Sequence, residues 1–271
     1  MKTLQKIYVF LIFFLLYAPV LIMIIFSFND TNSLTEMTGF SFKYYKEIFS
    51  NEDVMNAVKN TLILAVSASL IAGILGTAAA VGISKMKNKF LKKSVLTVTN
   101  IPMMNPDIVT GVSMMLLFVS VAAMLKFSTA LNFWTLLISH VTFCLPYVIL
   151  SVLPKIRQMD RHLPEAAMDL GCTPAKSFFK VELPCIFPGV ASGMLIAFTL
   201  SLDDFLISYF VNGTGFQTLP LYIYSVVRKG VRPSLYAINT IIVVAIMLLL
   251  ILINVIGDKD TKRKQKKELK N

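Results

Sequence analysis

Long apolar runs separated by short polar segments dominate the chain. The first run, 7–28, holds 22 residues without a charge, and a helix of that length crosses a bilayer core of about 30 Å. It is longer than a signal-peptide core and no small-residue cleavage pattern follows it, so we expect the mature protein to keep it. Five further runs lie at 60–84, 94–125, 133–153, 184–210 and 235–256. The pattern predicts an all-α transmembrane protein in which 7–257 form one six-span domain, between an N-terminus, 1–6, and a tail, 258–271.

Two of these runs have a composition that sets them apart. The second, 60–84, is rich in Ala, Gly and Ser, and because small residues let helices pack closely in lipid, we expect it inside the bundle. The third, 94–125, is long for one crossing. Its middle holds Pro102, Asn105, Pro106 and Asp107. Proline frees backbone carbonyls, which are tolerated at membrane depth only where protein or water surrounds them, so this run predicts a break that lines a pathway or a helix entrance.

The polar segments between the runs predict the orientation. Segment 29–59 predicts an outside loop with a short helix, and 211–234 a second outside loop with a partly buried helix. Five lysines between 85 and 93 predict a short basic loop. With the N-terminus inside, cytoplasmic segments carry 19 of the 26 Lys and Arg residues, in agreement with the positive-inside rule. Both termini and the loop 154–183 are then cytoplasmic.

Composition and charge agree with a bilayer environment. Hydrophobic residues make up 56% of the 271 residues and charged residues only 15%, so much of the chain faces lipid. The net charge of +11 lies between the apolar runs and in the tail, where anionic lipid headgroups explain it better than nucleic acid does. Cys144, Cys172 and Cys185 lack paired metal spacing, and we expect no metal site.

One polar stretch between the fourth and fifth runs predicts two short helices joined by an elbow. Pro164 fits the first turn of the first helix, and Gly171 can supply the left-handed residue that closes it. The second helix is expected to begin with Thr173 as its cap and Pro174 at its first position. It is expected to stop before Pro184.

The first helix of this stretch has a motif as well as a predicted shape. Its small and apolar side chains suit a groove on another protein; they are Ala166, Ala167, Met168 and Leu170. The spacing Glu-Ala-Ala, three residues, Gly, nine residues, an aliphatic, one residue, Leu-Pro resembles the EAA loop of permease subunits of bacterial ATP-binding cassette importers. Val181 stands where that family usually has Ile. The alternative is an ordinary cytoplasmic helix pair of a membrane protein.

The resemblance assigns this loop a role in coupling. In the family it docks into a cleft of the ATPase subunit, which implies coupling roles for Glu165, Ala166, Ala167, Met168, Leu170, Gly171 and Pro184. Further segments resemble the spermidine/putrescine importer permeases, namely 105–109, 139–146, 200–204, 218–221, 223–225 and 230–231. The implied protein is a six-span, type I importer permease that carries polyamines. Ferric iron, thiamine or an organophosphorus compound is the alternative cargo of the same scaffold.

The resemblance also implies partners and a mechanism. The chain would pair with a second permease subunit above an ATPase homodimer and receive polyamine from an extracellular binding protein. ATP and Mg would bind the ATPase, and this chain would need no cofactor. ATP closure of the ATPase dimer would bring the coupling helices together and turn the spans outward, and hydrolysis would reset them.

Carboxylates inside the apolar runs are the candidate substrate-pathway residues, because an intramembrane charge is costly and usually faces a cavity. Asp203 and Asp204 lie in the fifth run and Asp107 at the break in the third. Adjacent helical residues point about 100° apart, so we expect one of the pair to face the pathway while the other caps or pairs locally. Tyr209 offers an aromatic face to an organic cation. The alternative is that both acids lie at the outer membrane interface and form ion pairs with Arg228, Lys229 or Arg232.

The sequence gives little support to ATP binding, catalysis or ion-coupled transport by this chain. No Gly-rich run ends in Gly-Lys-Ser or Gly-Lys-Thr, so the chain lacks a phosphate cradle of its own. We expect no catalytic residue, and interpret His140 as a hydrogen-bonded packing residue in preference to a proton relay. An ion-coupled secondary carrier is the hypothesis from a different class, but such carriers usually have two matched broken helices, and one strong break is found here.

Overall fold

The structure is a computed structural model that describes residues 2–31, 36, 38–127, 129–160, 162–230, 234–244 and 247. The first half contains α1 (Lys2–Phe26), α2 (Lys43–Ser50), α3 (Glu52–Lys85), α4 (Lys89–Met104), α5 (Asp107–Leu125) and α6 (Phe133–Gln158). The second half contains α7 (Leu163–Asp169), α8 (Pro174–Ser177), a π-helical turn (Phe178–Glu182), α9 (Leu183–Asp203), α10 (Leu206–Val211), α11 (Leu219–Lys229) and α12 (Ser234–Val244). The prediction of an all-α protein is confirmed.

Five helical stretches in the described part of the chain are long and apolar enough to cross a membrane. They are Gln5–Phe26, Glu52–Lys85, Asp107–Leu125, Phe133–Gln158 and Pro174–Asp203. The sixth predicted span begins as the apolar helix α12. Apart from residue 247, the rest of it and the predicted tail 258–271 lie outside the described residues.

Several predicted boundaries were wrong. The fourth span, predicted to end at 153, continues in α6 to Gln158. The second span begins at Glu52, well before residue 60, because the Asn51 side chain caps α3 by accepting from the backbone N–H groups of Asp53 and Val54. The predicted basic loop shrinks to 86–88, since the Asn88 side chain caps α4 in the same way. The long helix that follows α7 does not stop before Pro184.

That helix passes Pro184 because the preceding turn is π-helical. The N–H of Leu183 donates to the carbonyl of Phe178, five residues back, where an α-helix would use a residue four back. The wider turn leads directly into α9, where Pro184 lies in the first turn and needs no intrahelical partner for its missing N–H. The predicted break in the third run is confirmed: α4 ends at Met104 and α5 begins at Asp107, on either side of Pro106.

The chain divides into two compact units, of which the first combines 1–55 and 223–271. The Ser27 hydroxyl lies 2.7 Å from that of Tyr45, and the ring of Phe28 packs on those of Phe40 and Tyr45, each with a centroid distance of 5.2 Å. This cluster connects the end of α1 to the short helix α2, which was predicted for this segment.

The second unit, Asn56–Tyr222, has its core around α6. A Cβ at Gly76 of α3 would lie 2.7 Å from Cβ of Val148, and one at Gly193 of α9 would lie 3.0 Å from Cα of Val148. Both helices therefore approach α6 at the same residue, and a side chain at either glycine would force its neighbour to shift. The predicted interior position of the small-residue second span is met on one face only: Ala65, Ala68 and Ala72 are fully buried, whereas Leu70 and Ile74 are exposed.

Candidate functional site

The predicted elbow is present as α7, a reverse turn and α8, and we call residues 163–177 the elbow. Gly171 has φ +86°, and two hydrogen bonds close the end of α7: the N–H of Cys172 donates to the carbonyl of Ala167 at 3.0 Å, and that of Gly171 to the carbonyl of Met168 at 2.9 Å. This is a Schellman motif, in which glycine takes the left-handed position without steric cost. The predicted role of Gly171 in closing α7 is confirmed.

The second half of the elbow is held against the first. Thr173 caps α8 by accepting from the N–H of Lys176 at 3.4 Å, and Pro174 follows it in the first turn, as predicted. The buried hydroxyl of Ser177 donates to the carbonyl of Pro164 at 3.2 Å. This bond ties the two helices together, so the elbow has a fixed shape.

The outer face of the elbow is apolar and open. Leu170 is 88% exposed, Met168 and Ala166 are exposed, and Glu165 keeps 68% of its side chain accessible beside His162. Ala167, in contrast, is buried within the elbow, so its small side chain serves the internal packing. The remaining residue implied in coupling, Pro184, is exposed at the first turn of α9.

An ion pair that the sequence reasoning missed connects this region to α3. Nζ of Lys85, at the last residue of α3, lies 3.4 Å from Oε1 of Glu182, in the π-helical turn after α8. The Glu182 side chain is 8% exposed and that of Lys85 63%. A buried carboxylate needs a partner. The signals in the sequence were the single acid Glu182 between Val181 and Leu183, and the five lysines between 85 and 93.

The two adjacent acids of the fifth span differ in environment. Oδ2 of Asp204 accepts from the N–H of Ser208 at 2.8 Å and from its hydroxyl at 2.9 Å, while Oδ1 accepts from the N–H of Ile207 at 3.2 Å. Asp204 therefore caps α10, and its side chain is only 6% exposed. We call the interruption at 203–206 the break; it ends α9 before the predicted end of the span near residue 210.

Asp203 is the exposed member of the pair. It ends α9, and its carboxylate has neither a hydrogen bond nor an ion pair within the described residues. One acid thus caps locally and the other is open, as predicted. The cause is the break and not the 100° helical offset, because Asp204 lies beyond the end of α9 with an extended backbone. The alternative pairing of these acids with loop cations stays a prediction: Arg228 and Lys229 belong to the other unit, and Arg232 lies outside the described residues.

His140 of α6 is completely buried beside this break. Its Nδ1 lies 2.8 Å from the Ser201 hydroxyl of α9, and its Nε2 lies 3.2 Å from the Ser208 hydroxyl of α10 and 3.5 Å from Oδ2 of Asp204. The prediction that His140 is hydrogen-bonded is confirmed, while its preference over a proton relay stays a prediction. We call His140, Ser201, Asp204 and Ser208 the His140 network.

The remaining candidate residues lie on the two helices that pack beside the break. Tyr209 of α10 is 45% exposed, and its ring packs at 5.5 Å on that of Phe205. Asp107 is the exposed first residue of α5. These helices approach closely, because a Cβ at Gly111 of α5 would lie 3.2 Å from the carbonyl of Leu206. Open carboxylates and an aromatic face near one break are the groups that recognise an organic cation.

Comparison with known sequences gives one family and named relatives. The family described as binding-protein-dependent transport system inner membrane component matches residues 72–263. The putrescine transport system permease protein PotI of Escherichia coli (strain K12) is 41% identical over 234 residues, which cover 86% of this chain and 83% of the relative. The spermidine/putrescine transport system permease protein PotC of Haemophilus influenzae (strain ATCC 51907 / DSM 11121 / KW20 / Rd) is 36% identical over 257 residues, 95% of this chain and 97% of the relative.

Comparison with solved structures supports the fold. A chain of a bacterial alginate ABC transporter, solved in complex with an alginate pentasaccharide-bound periplasmic protein, superposes with a TM-score of 0.72. Sequence identity is 19%, and the match covers 93% of this chain and 92% of that chain. The fold is therefore that of an ABC importer permease.

Proposed function

Since this chain belongs to the family of binding-protein-dependent transport system inner membrane components, we propose that it carries polyamines, spermidine or putrescine, through the membrane as one permease subunit of an ATP-driven importer. The observation that carries this proposal is its 41% and 36% identity, over most of its length, to permeases named for putrescine and for spermidine/putrescine transport. The membrane-spanning helices agree with this role.

The elbow is the proposed docking element for the ATPase. An apolar surface as open as that of Leu170 and Met168 suits burial in the cleft of another protein. The internal bonds of the elbow support this role, because a preformed knob loses little conformational entropy on docking. ATP and Mg bind the ATPase homodimer in this proposal, and this chain supplies no catalytic residue or cofactor site.

The cargo-facing groups are proposed to be Asp203, Tyr209 and Asp107, with Asp204 holding the backbone beside them. A polyamine carries several ammonium groups separated by methylene chains, so it is recognised by carboxylates and aromatic faces in alternation. Asp203 fits best, since its carboxylate is exposed and has no hydrogen bond or ion pair within the described residues. A second permease subunit completes the pathway, and an extracellular polyamine-binding protein delivers the cargo.

The orientation follows from charge. The loop 154–183 and both termini are proposed to be cytoplasmic, since the segments assigned to that side carry most of the Lys and Arg residues. The complex then lies in the bacterial cell membrane, with the elbow facing the ATPase and the 29–59 and 211–234 segments facing the binding protein.

Uptake in cells tests the cargo. Radiolabelled spermidine and putrescine uptake is measured in cells that lack this chain and other polyamine importers, and again after the chain is restored. Loss on deletion and recovery on restoration are the expected results. Unchanged uptake on deletion would contradict the polyamine assignment and leave the importer fold standing.

A further inference from the structure

One imidazole connects three helical elements at the break. His140 lies on α6, Ser201 near the end of α9, and Ser208 on α10, and the ring contacts both hydroxyls at 2.8 and 3.2 Å. His140, Ser201 and Ser208 are all buried. Both ring nitrogens of His140 therefore contact hydroxyls on two other helices.

The hydrogen bonds of the network have one consistent direction. The Ser208 hydroxyl donates to Oδ2 of Asp204, so in a neutral imidazole the proton is assigned to Nε2 of His140, which donates to the Ser208 oxygen. Nδ1 is then free of a proton and accepts from the Ser201 hydroxyl. A single chain of donors therefore runs from Ser201 through His140 and Ser208 to the carboxylate of Asp204.

The chain of bonds ends at the group that shapes the break. Asp204 caps α10 through the N–H groups of Ile207 and Ser208, and α10 carries Tyr209. The last turn of α9, which carries Asp203, is tied to the same imidazole through Ser201. On its other side α10 packs on α5, where Gly111 leaves room for the Leu206 carbonyl. The orientation of the cargo-facing residues thus depends on where α6 holds the break.

We propose that His140 is a positioning residue for transport: through Ser201, Ser208 and Asp204 it fixes the break between α9 and α10, and with it the placement of Asp203 and Tyr209. The proposal rests on the proposed polyamine function. His140 does not touch cargo in this account, and it acts through the break alone.

The test uses the complete importer in proteoliposomes with loaded polyamine-binding protein. ATP hydrolysed and spermidine transported are measured together for the normal complex and for His140→Phe, His140→Gln and Ser208→Ala. His140→Phe keeps a ring of similar size but loses both hydrogen bonds, so the spermidine moved per ATP should fall tenfold or more, since about tenfold is expected for each buried polar interaction lost. His140→Gln keeps one donor and should fall less.

Ser139→Ala is the matched control. Ser139 is the buried neighbour of His140, but its hydroxyl donates at 2.9 Å to the Thr135 carbonyl of its own helix. It should keep the normal ratio, whereas Ser208→Ala should lower it. In His140→Phe and Ser208→Ala, the concentration of loaded binding protein that gives half-maximal ATPase stimulation should not change. The reason is that neither substitution alters the surface that binds this protein.

Some results would contradict the role of His140, and another would contradict the proposed polyamine function. An unchanged ratio in His140→Phe, or a parallel fall of both rates with the amount of assembled complex, would make His140 a packing residue and overturn the proposal. If the His140→Phe complex does not assemble, the spermidine moved per ATP in Ser208→Ala decides between a positioning role and a packing role. A normal complex that hydrolyses ATP without moving spermidine would overturn the proposed function, and the inference with it.

Discussion

The elbow and the break are both polar interruptions in an apolar chain, but they are stabilised over different distances in sequence. In the elbow, the bond that spans most residues joins Ser177 to Pro164, 13 positions apart. At the break, His140 bonds to Ser201 and Ser208 across 61 and 68 positions. The elbow is therefore a local structure with an open face, whereas the break combines a local cap at Asp204 with bonds to α6 that form only when α6, α9 and α10 are assembled.

This difference separates two tasks within one permease. The elbow presents an open apolar surface outside the bundle, as docking to another protein requires. The break keeps one carboxylate satisfied and the next one exposed. A substitution can therefore damage coupling without disturbing the helices, or damage the helices and the pathway without altering the elbow.

The largest effect is expected at the elbow. Glu165→Lys should abolish polyamine uptake while the chain remains in the membrane, because it reverses charge on the docking face. Glu165 and its partner His162 are both exposed, so their ion pair contributes little to folding. Radiolabelled uptake and the amount of chain in isolated membranes are measured together. Normal uptake in Glu165→Lys would contradict the docking role.

The next effect separates the two acids of the fifth span. Asp203→Asn should lower spermidine uptake roughly tenfold or more, as expected for a lost charge contact to a polycation, at normal stability, since no protein contact is lost within the described residues. Asp204→Ala should also lower the melting temperature of the complex, because buried donors of α10 lose their acceptor at about 1–3 kcal/mol. Uptake is normalised to assembled complex, and melting is followed in detergent.

Two results would break this part of the comparison. Equal loss of stability in both variants would mean that Asp203 is also structural. Unchanged uptake kinetics in Asp203→Asn would remove that residue from the pathway.

A smaller effect is expected where the elbow joins the bundle. Lys85→Met leaves the buried carboxylate of Glu182 without its 3.4 Å partner, whereas Glu182→Leu removes the charge itself. The double variant should therefore be more stable than the Lys85→Met single variant. Because Lys85 is largely exposed, we expect a coupling free energy of about 1 kcal/mol or less in a double-mutant cycle. Lys87→Met is the control, and strict additivity would show that this pair does not link α3 to the coupling region.

The elbow could be predicted from the sequence to a greater extent than the break. Pro164, Gly171, Thr173 and Pro174 each act within their own turn, so their types alone predicted the two helices and the elbow. The partners of His140 could not be predicted, since nothing in the sequence near residue 140 names a serine more than sixty positions away. Ala167 shows a further limit of prediction from sequence. The motif requires a small residue at this position, but it does not indicate that the side chain is buried.

Helix ends show the same limit. The end of the second short helix was wrong because the sequence shows Pro184 as a stop, whereas a π-helical turn supplies Leu183 with another acceptor. The start of α3 was missed because hydropathy marks the apolar part of a helix, and its first polar turn is set by the Asn51 cap.

The smallest effect concerns the turn in the elbow. Gly171 has φ +86°, and a Cβ added there would meet nothing within 4 Å, so Gly171→Ala costs only backbone strain, about 1 kcal/mol. The amides of Gly171 and Cys172 should then exchange hydrogen about fivefold faster, and less so in Gly171→Asn, which tolerates this conformation better. Gly82→Ala, a helical glycine in open space, is the control. Equal exchange in all variants would show that the Schellman motif does not limit opening of the elbow.

The most direct test of the two-task account measures ATP hydrolysis and spermidine transport in the same proteoliposomes for the normal importer, Glu165→Lys and Asp203→Asn. The account predicts that Glu165→Lys loses both transport and the stimulation of hydrolysis by loaded binding protein. Asp203→Asn should keep that stimulation and lose transport. Normal stimulation in Glu165→Lys, or a proportional loss of both activities in Asp203→Asn, would contradict the separation of coupling at the elbow from cargo passage at the break.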